Sequence, residues 1–222
     1  MKNLSRVNEV FQRTAFLIGL YGHHTKKGSS FDDKTIFDRI QNVDLETLRQ
    51  ICISFESYNE IIASLPSKGE SISSVNKRHL KKFLNKWGLR VDQRVFDGLT
   101  DEYLVEVYST KHQQLFRSAN FFSMSGYTLS ELTFSPWDEL FHRSISNDDI
   151  MFKTIDMVLD YEIKYLVPKI SHHILTEIKT KRKFKYQMVK LACVFDDIVD
   201  VPVGYLTIIS VKELKGKLRL IN

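Results

Sequence analysis

The residues that could do chemistry are few and scattered. Two adjacent histidine pairs, His23-His24 and His172-His173, suggest a metal at first sight. Adjacent residues point to opposite faces of a strand and lie about 100° apart on a helix, so neither pair offers a chelating face. No cysteine or acidic residue stands at the spacing that would complete a tetrahedral zinc site, and surface roles are expected for both. Asp196, Asp197 and Asp200 cluster just before Val201-Pro202, where aspartate commonly serves the conformation of a turn. The chain has no G-x-S-x-G elbow, P-loop, H-E-x-x-H or G-x-G-x-x-G run, the spacings by which common catalytic sites announce themselves. No enzyme is expected.

Charge offers a second kind of chemistry. Thirty-two Lys and Arg stand against 27 Asp and Glu, a formal charge of +5, with a pI near 9.0. Lys77, Arg78, Lys81, Lys82, Lys86 and Arg90 lie opposite an apolar stripe of Leu80, Phe83, Leu84 and Trp87. Such a helix could lie along phosphates. It is also what the wet side of an ordinary amphipathic helix looks like, and no helix-turn-helix frames it. These cations carry the alternative reading, a nucleic-acid-binding transcription regulator. Cys52 and Cys193 are far apart and are expected as reduced, buried thiols. The apolar stretch Val10 to Tyr21 is broken by Gln12, Arg13 and Thr14, so it reads as neither a signal peptide nor a membrane span. A cytoplasmic location is expected.

The elements that must position these residues change character along the chain. The first ninety residues read as helices. Leu4, Val7, Phe11, Ile18 and Tyr21 share one helical face; Leu48, Ile51, Phe55, Tyr58, Ile62 and Leu65 share another, with Asp44 as cap and Pro66 as stop. A linker at 67–71 leads to a third helix, with Ser73 or Ser74 as its cap, ending at Gly88. These stripes could pack on each other or on a second copy of the chain. Past Leu99 the period becomes two. Tyr103, Val105 and Val107 alternate with Leu104, Glu106 and Tyr108, and a turn at 109–113 joins them to a strand at 114–118. Short helical pieces follow near 119–122 and 129–132. A longer helix starts at Asp148, with Ile150, Ile155, Val158, Leu159 and Ile163 on one side, ending by Val167 before Pro168. Three β segments close the chain: Ile174, Thr176 and Ile178; then Phe184, Tyr186, Met188 and Lys190 opposite Lys185, Gln187, Val189 and Leu191; then Gly204 to Val211. Two strands, short helices, a longer helix and three strands make an α+β arrangement.

The run Leu115 to Leu140, LFRSANFFSMSGYTLSELTFSPWDEL, resembles a PAS domain. In that family a strand leads into a short helix with an Asn near its start, followed by a Gly-Tyr pair and a Ser/Thr-x-x-Glu-Leu helix. Asn120, Gly126-Tyr127 and Ser130-Glu131-Leu132 occupy those places. Gly126 suits a positive φ at a tight turn, and Thr128 with Glu131 fits a capping box. Asp196, Asp197 and Gly204 match the acidic and glycine positions between the last two strands. The chain is similar in particular to the PAS region of LuxR-type transcription regulators of Bacteroidetes-like bacteria.

The helical stripes mark a helical N-terminal region, 1–92, and the resemblance implies a PAS-like sensory domain, 98–213: a five-stranded antiparallel sheet with helices on one face. It implies signal sensing in a bacterial cytoplasm, through a small-molecule ligand, a protein partner or a homodimer, and no membrane. Only 11 residues follow Val211, too few for the helix-turn-helix of those regulators, so DNA binding is the lesser expectation. A ligand space between sheet and helices would be lined by Phe116, Asn120, Phe121, Phe122, Met124, Tyr127, Trp137, Phe141 and Met188. The competing reading is a filled core of the same side chains. No cofactor is expected. A photoreceptor flavin of the LOV type needs a Cys on the central helix, and none lies between Cys52 and Cys193. Haem needs an axial ligand, and the nearest, His142, sits in a charged stretch.

Overall fold

A computed structural model describes residues 2–20, 45–63, 76–112, 114–118, 120–127, 131–132, 135, 137–143, 148–160, 163–169 and 172–214. Expected features at Asp44, Pro66, Ser73, Ser74, Thr128 and Ser130, and the His23-His24 pair, lie outside these residues. The helices are α1 (Lys2–Leu20), α2 (Leu45–Ala63), α3 (Asn76–Lys86), α4 (Asn120–Met124), α5 (Trp137–Leu140) and α6 (Asp148–Leu159). The strands are β1 (Leu89–Val91), β2 (Tyr103–Ser109), β3 (Gln114–Arg117), β4 (Phe141–Arg143), β5 (Tyr165–Leu166), β6 (His173–Glu177), β7 (Lys183–Asp196) and β8 (Pro202–Leu214). No described helix is long and apolar enough to cross a membrane.

The sheet is antiparallel, in the order β3-β2-β8-β7-β6-β4, with β1 and β5 also paired to β7. It therefore has eight strands among the described residues, not the expected five. The additional strands β1, β4 and β5 are two or three residues long. A segment that short shows no measurable alternation; each is a strand only because a long neighbour offers it free backbone groups.

Helices also cover both faces, not one. The register places Leu104, Glu106, Tyr108, Tyr205, Thr207 and Leu191 on one face and Val105, Val107, Phe116, Leu206 and Ile208 on the other. α6 lies on the first face, with Ile155 and Val158 packed in one cluster with Met188, Leu191, Cys193, Phe195 and Tyr205. On the second face, Tyr58 of α2 and Phe83 of α3 meet the Phe116 ring at centroid distances of 6.2 and 4.9 Å. Val7 and Phe11 of α1, Leu48 of α2, Leu80 of α3 and Val105 of β2 belong to a single buried cluster. Val7 and Phe11 of the α1 stripe are thus covered within the chain: the Phe11 ring lies tilted 4.5 Å from Phe55, and Arg6 bonds Glu56 at 2.8 Å.

Two phase changes follow from local chemistry. A bulge between Met188 and Lys190 shifts the alternation of β7 by one residue. Phe184, Tyr186 and Met188 share a face with Leu191, while Lys190 leaves it and donates to the carbonyls of Arg94 (2.9 Å), Val95 (3.3 Å) and Asp97. These carbonyls end the 3-10 helix Gln93–Phe96, whose free C=O groups need a donor. In β6 the buried residues are His173, Leu175 and Glu177, not Ile174, Thr176 and Ile178.

His79 of α3 is fully buried, and neither ring nitrogen makes a hydrogen bond among the described residues. Burial, assisted by Lys82 and Arg78, lowers its pKa to about 4. Unfolded histidine takes its proton near pH 6.5, before the folded side chain does. Stability is therefore complete above about pH 6.5 and falls as pH drops toward 4, by roughly 3 kcal/mol in total. Urea melts between pH 7 and 4 should show that slope, and His79→Leu should flatten it.

Candidate functional site

Hairpin β2–β3 sets the centre of the site. Glu106 pairs with Arg117 in the ladder, which brings the carboxylate Oε1 within 2.7 Å of the guanidinium Nε, both side chains being buried. A buried ion pair holds only if its remaining polar positions are filled, and here they are. Tyr108 donates its phenol to Glu106 Oε2 at 2.9 Å. With its amide oxygen turned to the guanidinium, Gln114 accepts from Arg117 Nε and Nη2 at 2.8 and 2.6 Å. The Phe121 ring lies 3.8 Å from the guanidinium carbon, a cation–π contact strengthened by loss of water.

Around this pair the sheet presents further hydroxyl groups. Tyr205 stacks on Tyr108 at 5.2 Å, and its phenol lies 3.0 Å from Nδ1 of His112. The Tyr186 ring lies tilted against His173, with centroids 4.8 Å apart. Burial, then the nearby Glu106, raises the pKa of Tyr108, Tyr205 and Tyr186, so all three phenols keep their protons and stand as O–H donors. Arg143 acts on Tyr186 and Tyr205 in the opposite sense, which places its charge on the same side of the sheet. Thr207 is buried, and its Oγ1 makes no hydrogen bond among the described residues.

These groups form the floor of a cleft of about 370 Å³ between the sheet and α6. Met151, Phe152 and Ile155 of α6 make the roof, Leu132 and Ser135 one wall, and Met188 part of the floor. His112 and Phe152 meet edge to face at 6.2 Å at the rim, and both are exposed. A small apolar-roofed space with a few convergent polar groups is the usual form of a ligand site.

Of the residues expected to line a ligand space, Met188 lines this cleft, and Phe121 supports it from beneath Arg117. Phe116 is on the other face, against Tyr58 and Phe83; Phe122 also meets Tyr58. Asn120 has an architectural task. Its Nδ2 donates to the carbonyls of Asp101 (3.0 Å) and Tyr103 (2.9 Å), and its Oδ1 accepts from Ser118 Oγ at 2.7 Å, tying the start of α4 to the start of β2. Met124 is half-buried against the main core. The Tyr127 ring packs on Phe141 at 5.4 Å, and its hydroxyl donates to the Leu140 carbonyl and accepts from the Lys179 N–H. The side chain of Trp137 lies outside the described residues.

Gly126 is needed for space, not for a positive φ; the described glycines with positive φ are Gly88 and Gly98. The Gly126 N–H donates to Glu177 Oε1 at 2.6 Å, and a Cβ there would sit 2.6 Å from Glu177 Oε2 and 2.7 Å from Thr180 Cγ2. This contact is why Glu177 turns inward and the expected phase of β6 is reversed.

No protein-family model and no curated protein matches this sequence. Among the described residues no group of three or more His, Cys, Asp and Glu is placed to hold a metal. His142 is exposed on β4, and His172 is exposed beside buried His173. The Cys193 thiol, buried beneath α6, is pushed up to about 11, which leaves it protonated. The cations of α3 have partners within the chain: Lys86 pairs with Glu60, and Lys77 and Lys81 lie 6.0 and 5.2 Å from the Phe96 ring centroid. Arg78 and Lys82 also interact with other groups of the chain.

Proposed function

We propose that this chain is a non-catalytic sensory protein of the PAS type, and that its signal enters as a small molecule in the cleft beneath α6. The observation that carries the reading is the composition of that cleft: buried hydrogen-bonding groups on a sheet floor, an apolar helix above, and an unused hydroxyl at Thr207. The element order agrees with the resemblance, from the hairpin β2–β3 through α4 and α6 to β6, β7 and β8. Asn120 and Gly126-Tyr127 act as local fasteners of α4 and of the segment that follows it.

The same strands supply a route for the signal. Glu106 and Arg117 face the cleft, while their neighbours Val107 and Phe116 face the N-terminal helices. A ligand that favours one packing of the hairpin over another biases α2 and α3 by its difference in affinity for the two states. A protein partner or a second copy of the chain would then read the position of those helices.

A thermal-shift screen of small organic molecules tests this, run on the full chain and on Met151→Trp, which fills the cleft from its half-buried roof. Hits that stabilise the parent and fail on the variant are expected, since a ligand bound only to the folded state raises its stability by mass action. Hits that act equally on both proteins, or a screen with none, would overturn the reading.

A further inference from the structure

The helices on the second face of the sheet meet it along a seam with unmet polar demand. Tyr58 of α2 is buried against Phe116 and Phe122, and its hydroxyl makes no hydrogen bond among the described residues. Asn76 and His79 stand three residues apart on the buried face of α3, which also carries Leu80 and Phe83. Asn76 Oδ1 and both ring nitrogens of His79 are likewise without a hydrogen bond among the described residues. A buried polar atom left unmatched favours any state in which water reaches it, by about ten-fold or more in the equilibrium. Against this stands the apolar seam itself, with Leu80, Phe83, Val105 and Phe116 in one buried cluster, which keeps the docked state in the majority.

The seam has a hinge at one end. Gly88 donates its N–H to the Asn85 carbonyl of α3 and accepts from the Asp197 N–H, on the sheet side, with its own carbonyl. Its φ is +58°, and no heavy atom beyond its chain neighbours lies within 4 Å of where a Cβ would stand, so the backbone can turn there at little cost. From Leu89 onward the chain is paired to β7. Asn76 and His79 lie about 14–18 Å from Gly88 along α3, at 1.5 Å per residue, so a small rotation about Gly88 moves them furthest and wets them first. Bonds within the layer hold it together: Trp87 Nε1 donates to Ser57 Oγ at 3.2 Å, Lys86 pairs with Glu60, and Asn59 Nδ2 donates to the Val10 carbonyl at 3.3 Å. We infer that α1–α3 form a releasable cover, which swings about Gly88 as one body and uncovers the apolar face of Val105, Val107 and Phe116 while β1, β7 and β8 stay paired. The wetting of Tyr58, Asn76 and His79 keeps the open state within reach of the closed one. The device goes beyond the sensory reading, since it belongs to the free chain and needs no ligand in the cleft.

Native-state hydrogen exchange of the full chain at neutral pH, followed by NMR in low urea, tests it. Amides of α2 and α3 should share one opening, about ten-fold or more as frequent as the global unfolding that exposes β7 and β8. Amides of β1 should exchange with β7, which sets the boundary at Gly88. Tyr58→Phe and His79→Leu each remove an unmatched polar group and keep a body of similar size, so each should slow exchange in α2 and α3 about ten-fold. Exchange of α2 and α3 in a single step with β7 and β8, opening of α3 together with β1, or exchange that is not slowed in Tyr58→Phe overturns the proposal. The thermal-shift screen on Met151→Trp reads the cleft separately, so the releasable cover and the sensory reading can each fail alone.

Discussion

Arg117→Met should destabilise the protein by about 3–5 kcal/mol, because it leaves the buried Glu106 carboxylate without its cation. The geometry makes this an unusually exposed dependence. Glu106 Oε1 is 2.7 Å from Arg117 Nε, and both side chains are over nine-tenths buried. Replacing both residues, Glu106→Met with Arg117→Met, should recover most of the loss, since a pair of apolar groups asks for no compensation. Urea unfolding of the two variants beside the parent checks both expectations. A single variant within about 1 kcal/mol of the parent would mean that the pair is solvated in solution and the cleft floor is not closed.

Gly204→Ala should cost about 4 kcal/mol or more, in the range that single substitutions reach only through a specific structural conflict. A Cβ on Gly204 would overlap the carbonyl oxygen of Tyr108 and press on its carbonyl carbon at 3.0 Å. Both obstacles are backbone, so no rotamer change relieves them. Strands β2 and β8 would have to part where Ser109 pairs with Gly204 and Tyr108 with Tyr205. The stacked Tyr108–Tyr205 pair would open with them, so the variant should lose ligand binding as well as stability. Urea melts give the first quantity and titration the second. A stable variant would show that the β2–β8 register near the cleft differs from the one described.

How much of this was legible in the residues depends on length scale. The hairpin β2–β3 was, because seven alternating residues and a polar turn leave few alternatives. The covering of both faces was half-visible. Leu104, Val105 and Val107 put apolar side chains on both sides of β2, as a strand between two layers does. Glu106 and Arg117 carry no such mark, since a charged residue on an alternating strand reads as solvent-facing. The signal that could have found them is their ladder pairing across a short hairpin, which sets opposite charges face to face. The reversed phase of β6 and the shift at Val189 follow from one hydrogen-bonded glycine and one bulge, features that alternation does not encode. Phe116 and Phe121 belong to one buried cluster, and Phe121 reaches the cleft only through the Arg117 guanidinium, so aromatic character alone could not tell a core ring from a cleft-lining one.

Methyl-labelled NMR tests the central claim most directly. Titration of the full chain with a molecule that stabilises the parent in the thermal-shift screen should move the methyl signals of Met151, Ile155, Met188 and Thr207 first, and those of Val107 on the far side of the sheet with them. Cleft methyls that stay still, while signals near the α1–α2 groove at Cys52 or the exposed β7–β8 turn at Ile198 move instead, would contradict the account.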